Sequence, residues 1–478
     1  MTASEHVATA APVTPGARIN GATEAGEPQH LVRPADGAPL ARAGWVGADA
    51  VSRAVAAAVN ARAGWAATPA RERAAAMRAI ADDLRAEAEE LAAIICTESG
   101  KRLAEARGEA VGSATYFDWF AEAAAIAEEE GGRTTPARRF RVRHHPVGVV
   151  AALGTWNFPL SIPARKVAAA LAAGCPTILK ASERTPISAD RLVAICERHV
   201  PTGVIGSLMG GPELATGLID HPEVAAISFT GSTPIGQRVG ERAARSHTRA
   251  VLELGGKAPF IVRADADIAD AAEHLMLAKL RNNGESCIAA NNVFVHSSVR
   301  AELQQVLAER IAAVQPGPPE DPASDLGPLI DGAAVRRLED LIEQASRDGA
   351  EVVRGKPGPD HETYMAAALV TCDHPTQLWD EEIFGPVLAL RSYDDEAAVV
   401  EEVNSWNMGL SGYVCGQDLA AAQDLAEQLR VGIVGINNGA PNTPEVPFGG
   451  FGGSGIGREG GMSGYREFIE EQTISVAR

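Results

Sequence analysis

Positive charge is scarce in this chain of 478 residues. There are 43 lysines and arginines against 62 aspartates and glutamates, a formal net charge of −19. That balance argues against a nucleic-acid partner and for a self-repelling, soluble surface. Long apolar runs are missing too. No stretch approaches roughly eighteen apolar residues without a charge or turn signal, so no membrane span is expected. The start, Met1-Thr2-Ala3-Ser4-Glu5-His6, lacks basic residues followed by an apolar core, so no signal peptide is expected. Cysteine is sparse and unpatterned, at Cys96, Cys175, Cys196, Cys287, Cys372 and Cys415. This usage suits a cytoplasmic protein and excludes a disulfide framework or a zinc site. The eleven histidines do not cluster with the cysteines, so no metal is expected.

What is present reads as an ordinary globular chain, 46% hydrophobic and 22% charged, long enough for two or three domains. Residues 1 to 28 show little periodicity and read as a mobile tail. From about 49 to 129 apolar residues recur at helical spacing, as at Ala76, Ile80, Leu84, Leu91 and Ile95. Gly131 to Thr135 breaks that pattern. Arg138 to His145 alternates as an exposed strand would. From Val147 to Leu153 the run is continuously apolar, as in a strand buried on both faces. Helix-like and strand-like runs then alternate: Ile162–Ala173, Thr177–Lys180, Ala189–His199, Val224–Phe229. That alternation predicts a doubly wound α/β sheet. A second alternation begins near 255, with strands at Phe260–Val262, Asn292–His296, Val387–Leu390 and Val431–Val434. The run Thr473–Ala477 can pair with the strand near 138 to 145. Two exposed strands outside the main sheets suggest assembly by strand addition across subunits.

Several turns between these runs carry chemistry. Leu280-Arg281-Asn282-Asn283-Gly284-Glu285-Ser286-Cys287 joins a helix-like run to a strand, and a cysteine at such a turn can face a cleft as a nucleophile. Glu253 ends a strand-like run just before Gly255 and Gly256, and is a candidate general base. Asn157, in Gly154-Thr155-Trp156-Asn157-Phe158-Pro159, offers an amide donor to a developing oxyanion. Thr230-Gly231-Ser232 opens a helix whose N-terminus can hold phosphate, or is simply capped by Ser232 or Thr233. Lys180, Ser182 and Glu183 end a strand where ribose hydroxyls can bind. The glycines at Gly450, Gly452 and Gly455 spell a dinucleotide fingerprint, but no buried strand precedes them, so they read as a turn-rich loop.

Taken together, these stretches resemble the NAD(P)-dependent aldehyde dehydrogenase superfamily. The resemblance rests on Thr155–Pro159, Lys180-x-Ser182-Glu183, Phe229–Ser232, Glu253–Lys257, Gly284-x-x-Cys287, Glu382-Ile383-Phe384-Gly385-Pro386 and Pro447–Gly450, in that order over roughly residues 30 to 478. It implies an α/β fold with two doubly wound domains and a small strand-swapping oligomerisation domain. The cofactor domain would be 29–131 with 147–254, the catalytic domain 255–456, and the oligomerisation domain 132–146 with 457–478. A homodimer or homotetramer is implied. So are Cys287 as nucleophile, Asn157 as oxyanion donor and Glu253 as the base that activates water. NAD is the expected cofactor, with NADP as the alternative. Trp156, Lys180, Ser182, Glu183, Gly231, Ser232, Glu382 and Phe384 would hold it. Glu183 is expected to favour NAD, because a carboxylate repels a 2′-phosphate.

The site residues come closest to succinic semialdehyde dehydrogenases. Arg165 and Arg281 match the positions that bind a substrate carboxylate there, with Phe158 and either Asn442 or Thr443 as further substrate contacts. An aldehyde with a distal carboxylate is therefore expected, and an uncharged aldehyde is the competing reading. Two departures stand out. Glu285 adds a negative charge two residues before Cys287 and is expected to point away from it. Ala289 replaces the second cysteine that some succinic semialdehyde dehydrogenases carry.

Overall fold

A computed structural model describes residues 15–127, 132–374 and 376–477. Two large sheets organise it. The first has eight strands in the spatial order Ala22–Glu24, Ala17–Ile19, Ile205–Leu208, Thr177–Lys180, Val149–Leu153, Val224–Thr230, Arg249–Glu253, Gly455–Ile456. The middle five run parallel. Chain order reverses between Val149–Leu153 and Val224–Thr230, which is the switch point where such sheets open a crevice at their carboxyl ends. Register brings Leu153 beside Lys180 and Phe229, and Thr230 beside Glu253, along one edge.

The run Val149–Leu153 is buried on both faces because alternate residues enter different cores. Val150 and Ala152 join one cluster with Leu171, Leu179 and Ile205. Val149, Ala151 and Leu153 join another with Ile178, Leu208 and Leu252. The second sheet has seven strands, Glu351–Arg354, Ala368–Thr371, Val387–Tyr393, Ala290–His296, Ala258–Val262, Ser411–Cys415 and Ile433–Ile436. All its pairings are parallel except the first, and it too separates two cores. The α/β doubly wound class is thus the observed one.

Three expectations are corrected. Residues 15–28 are ordered rather than a tail, and residues 1–14 lie outside the described residues. Ala17–Ile19 and Ala22–Glu24 form a hairpin across Asn20 and Gly21, at φ 53° and 76°, and extend the first sheet. An Asn-Gly pair between short apolar runs is a hairpin signal, and here each strand is only three residues long. Second, the break at Gly131–Thr135 contains the short strand Gly132–Thr134. Third, Arg138–Pro146 and Ile469–Ala477 pair with each other inside one chain, from Pro146 opposite Ile469 to Arg138 opposite Ala477. The contact expected across subunits is satisfied in cis, because the fold returns the late strand alongside the early one.

Candidate active site

The helix Ile268–Leu280 starts at Asp267, whose carboxylate accepts from the Ala269 and Asp270 amides at 3.0 and 3.1 Å. It stops at a turn in which Asn282, Asn283 and Gly284 are all left-handed, at φ 56°, 57° and 77°. Asparagine and glycine tolerate that region best. Buried bonds hold the turn. Asn282 Nδ2 donates to the Glu285 and Asn157 carbonyls at 2.8 and 3.0 Å. Asn283 Nδ2 donates to Pro328 O at 3.0 Å, and Gly327 N donates to Asn283 Oδ1 at 2.8 Å. These two side chains were missed as site-builders; the Asn-Asn-Gly triplet was their signal.

Cys287 leaves this turn at the wall of a cavity of about 390 Å³. Part of the residue stays open to that cavity. Around it the protein is dense enough that burial pushes the thiol up to about 12, with Arg165 pulling it down and Glu253 and Glu382 pushing it up. Glu253 ends its strand fully buried, with neither carboxylate oxygen hydrogen-bonded. Burial, then the nearby Glu459, raise it well above the usual carboxylate range, against the pull of Arg165 and Lys166. Close approach is possible because Gly255 and Gly256 follow. A Cβ on Gly256 would lie 2.2 Å from the Cys287 carbonyl oxygen, and one on Gly255 would lie 2.6 Å from Glu382 Oε2.

Asn157 is buried, its Nδ2 donating to Glu285 O at 3.0 Å. Its Oδ1 has no partner. The Glu285 side chain turns away, as expected: its Oε1 accepts from Ile330 N at 3.0 Å, and burial pushes its pKa to about 8.

Of the expected substrate contacts, Phe158, Arg165, Arg281 and Asn442 line the cavity. Thr443 does not. It is exposed on a loop beside the lining residues Asn442 and Pro444, and Glu445 is exposed as well. The two arginines differ. Arg165 is buried, with Nε 2.6 Å from Glu459 Oε2, an ion pair whose angle falls short of a hydrogen bond. Glu459 also takes Lys166 and, at 3.0 Å, the Ser228 hydroxyl. Arg281 is half-buried 5.5 Å from the Phe158 ring, and among the described residues no carboxylate pairs with it. Glu459 and Lys166 were not anticipated, since nothing local marks a partner 293 positions away.

The other expected residues collect at the carboxyl edge of the first sheet. Lys180 Nζ meets Glu183 Oε1 at 2.7 Å, and Ser182 Oγ accepts from Arg184 N at 3.3 Å. The helix Thr233–Arg245 begins after Gly231 and Ser232 with no side-chain cap, and the Thr230 hydroxyl at the strand end is buried without a partner. Uncapped amides and an orphaned hydroxyl fit a phosphate-bearing ligand. Glu382 Oε1 accepts from Gly256 N at 3.0 Å, and Phe384 meets Trp156 edge-on at 5.6 Å. These groups suit a dinucleotide. Among the described residues no cluster of His, Cys, Asp or Glu could hold a metal ion, and no helix is long and apolar enough to cross a membrane.

Fold and cavity are those of an α/β enzyme that sets a thiol and a carboxylate beside a dinucleotide-type sheet. The aldehyde dehydrogenase family model matches residues 22–474, and the chain belongs to that family of oxidoreductases. It is 40% identical to a non-phosphorylating aspartate-semialdehyde dehydrogenase of Halomonas elongata, covering 81% of this chain and 80% of that one. It is 38% identical to a probable NADP(+) succinate-semialdehyde dehydrogenase of Sinorhizobium fredii, covering 81% and 80%. The crystal structure of a Burkholderia pseudomallei succinate-semialdehyde dehydrogenase superposes with a TM-score of 0.95 at 37% identity, covering 98% of each chain.

Proposed function

We propose that this enzyme oxidises an aldehyde bearing a distal anionic group, such as succinic semialdehyde, to the acid through a thioester on Cys287. The observation that carries the reading is the guanidinium of Arg281, which no carboxylate among the described residues pairs with, in the same cavity wall as Cys287. A half-buried cation without a counterion favours an anionic ligand through charge-assisted hydrogen bonds. Names of relatives that act on semialdehydes support it. An uncharged aldehyde is the competing substrate.

Cys287 Sγ attacks the aldehyde carbon and its proton passes to Glu253. A neutral thiol and a carboxylate of raised basicity suit that transfer. The Asn157 amide and the Cys287 backbone N–H face the resulting oxyanion. A bound NAD(P) supplies the hydride acceptor that turns the thiohemiacetal into the thioester. Glu253 passes the thiol proton to solvent, then takes one from the water that attacks the thioester; it returns that proton to the departing sulfur, so the acid leaves and the Cys287 thiol is restored. Lys180, Ser182 and Glu183 hold the adenosine ribose in this reading, Gly231, Ser232 and Trp156 the pyrophosphate, and Glu382 and Phe384 the nicotinamide half. Residues 29–131 with 147–254 serve as the cofactor unit and 255–456 as the catalytic unit. Residues 132–146 with 457–478 serve as the assembly unit of a homodimer or homotetramer.

Cys287→Ala abolishes turnover while cofactor affinity stays within a few-fold, and Glu253→Gln slows both the burst of cofactor reduction and steady-state turnover. Near-normal turnover by Cys287→Ala refutes the mechanism.

A further inference from the structure

Outside the reacting groups, the cavity wall contains a buried ion pair with no part in the chemistry above. Lys101 and Glu109 have side chains only 1% and 3% exposed, and Lys101 Nζ bonds Glu109 Oε2. Lys101 follows Gly100, which ends the helix Ala88–Ser99 in the left-handed conformation at φ 78°. Glu109 sits in the helix Leu103–Ala127. Each partner also grips the segment that carries Asn157. Lys101 Nζ donates to the Asn157 carbonyl at 3.0 Å and lies 4.0 Å from the Phe158 ring centroid. Glu109 Oε1 accepts from the Leu160 and Ser161 amides, both at 3.0 Å. Those amides open the helix Ser161–Ala173, which has no side-chain cap of its own and bears Arg165 and Lys166. Helix starts leave such amides without partners. Here another helix provides the missing cap.

We propose that the Lys101–Glu109 pair is a positioning clamp that fixes the Asn157 amide where the oxyanion develops. This rests on Asn157 being the oxyanion donor. The segment 157–161 is held at both ends by one ion pair, so it cannot slide along the cavity wall without breaking several bonds together. A buried ion pair is a poor source of stability compared with apolar residues of the same shape. A role in geometry accounts for keeping it. Misplacing a reacting or stabilising group by about 1 Å costs on the order of 100-fold in rate.

The test compares Lys101→Met, Glu109→Gln and the double variant with wild type. Each single variant strands a buried polar or charged partner and lowers the melting temperature. In the double variant no charge remains, and the amide oxygen introduced by Glu109→Gln still caps Leu160 and Ser161. What is lost is the ammonium's hold on the Asn157 carbonyl and the Phe158 ring. The double variant therefore recovers most of its melting temperature, while kcat stays about 100-fold down. The aldehyde KM and the rate of Cys287 alkylation by iodoacetamide remain within a few-fold of wild type. Recovery of kcat along with melting temperature means the pair is structural and overturns the proposal. An insoluble double variant overturns it as well, since a charge-free pair of matching shape is expected to fold. Asn157→Ala separates the two readings. If it turns over normally, the oxyanion role itself fails; if it is impaired and the double variant is not, only the clamp fails.

Discussion

Replacing Arg281 by alanine probes the substrate through a side chain whose removal leaves nothing stranded. Its guanidinium has no carboxylate partner among the described residues, is half-buried and faces the cavity over the Phe158 ring. Truncation therefore exposes no unpaired charge. Arg165→Ala is a worse probe, because Glu459 would lose one of its two cations in a fully buried setting. Breaking a buried pair costs about 3–5 kcal/mol of stability, enough to confuse binding with folding. A hydrogen bond to a charged group contributes about 1.5–3 kcal/mol, which at about 1.4 kcal/mol per decade is roughly ten- to 150-fold. Arg281→Ala is expected to lower kcat/KM for succinic semialdehyde by that factor, chiefly through KM, with the melting temperature nearly unchanged. Butanal, similar in length and uncharged, serves as the paired substrate in an absorbance assay of cofactor reduction, and its kcat/KM barely changes. Equal losses on both aldehydes refute the reasoning, and a wild type that prefers butanal refutes the substrate class.

The buried Glu285 carboxyl, with a pKa of about 8 in the fold and about 4.3 unfolded, makes stability fall as pH rises between those values, since the folded state holds the proton longer. Glu285→Gln is expected to gain stability relative to wild type from about pH 5 to about pH 8, by at most about 1.4 kcal/mol per pH unit; a gain independent of pH in thermal melts would show the carboxyl is not neutral in the fold. At the ribose end, wild type is expected to favour NAD in kcat/KM, and Glu183→Ser to raise the relative use of NADP; a wild type favouring NADP contradicts the role given to Glu183. Deleting residues 469–477 removes every partner of Arg138–Pro146 in that ladder and is expected to lower the assembly state in sedimentation; an unchanged oligomer would place the contacts elsewhere.

Local pattern revealed the parallel strands, because a strand buried on both faces must read as an apolar run, as Val149–Leu153 does. It also revealed the turn before Cys287 and the glycines after Glu253, whose small size answers a close approach. It did not reveal which arginine is free. Arg165 and Arg281 look alike in sequence, and only the fold brings Glu459 to one and not to the other. The same limit hid Lys101 and Glu109, whose contacts with 157–161 span 51 to 56 positions. The hairpin at Asn20-Gly21 was readable and was passed over because its strands are too short to show alternation.

The partnership of Glu459 with Arg165 and Lys166 also imposes an order of events in time. A ribosome makes the two cations almost 300 residues before their anion, at about 5–20 residues per second. Through that interval the first sheet lacks its Gly455–Ile456 edge strand, and Arg138–Pro146 lacks the partner strand Ile469–Ala477. The helix Ser161–Ala173 can form early, but it cannot bury its cations at low cost until translation has passed Glu459. Nascent chains thus hold Cys287 before they hold the Glu459 carboxylate that balances Arg165 and Lys166. Chains truncated before Glu459 are expected to fold poorly, because Arg165 and Lys166 then lack the carboxylate they pair with.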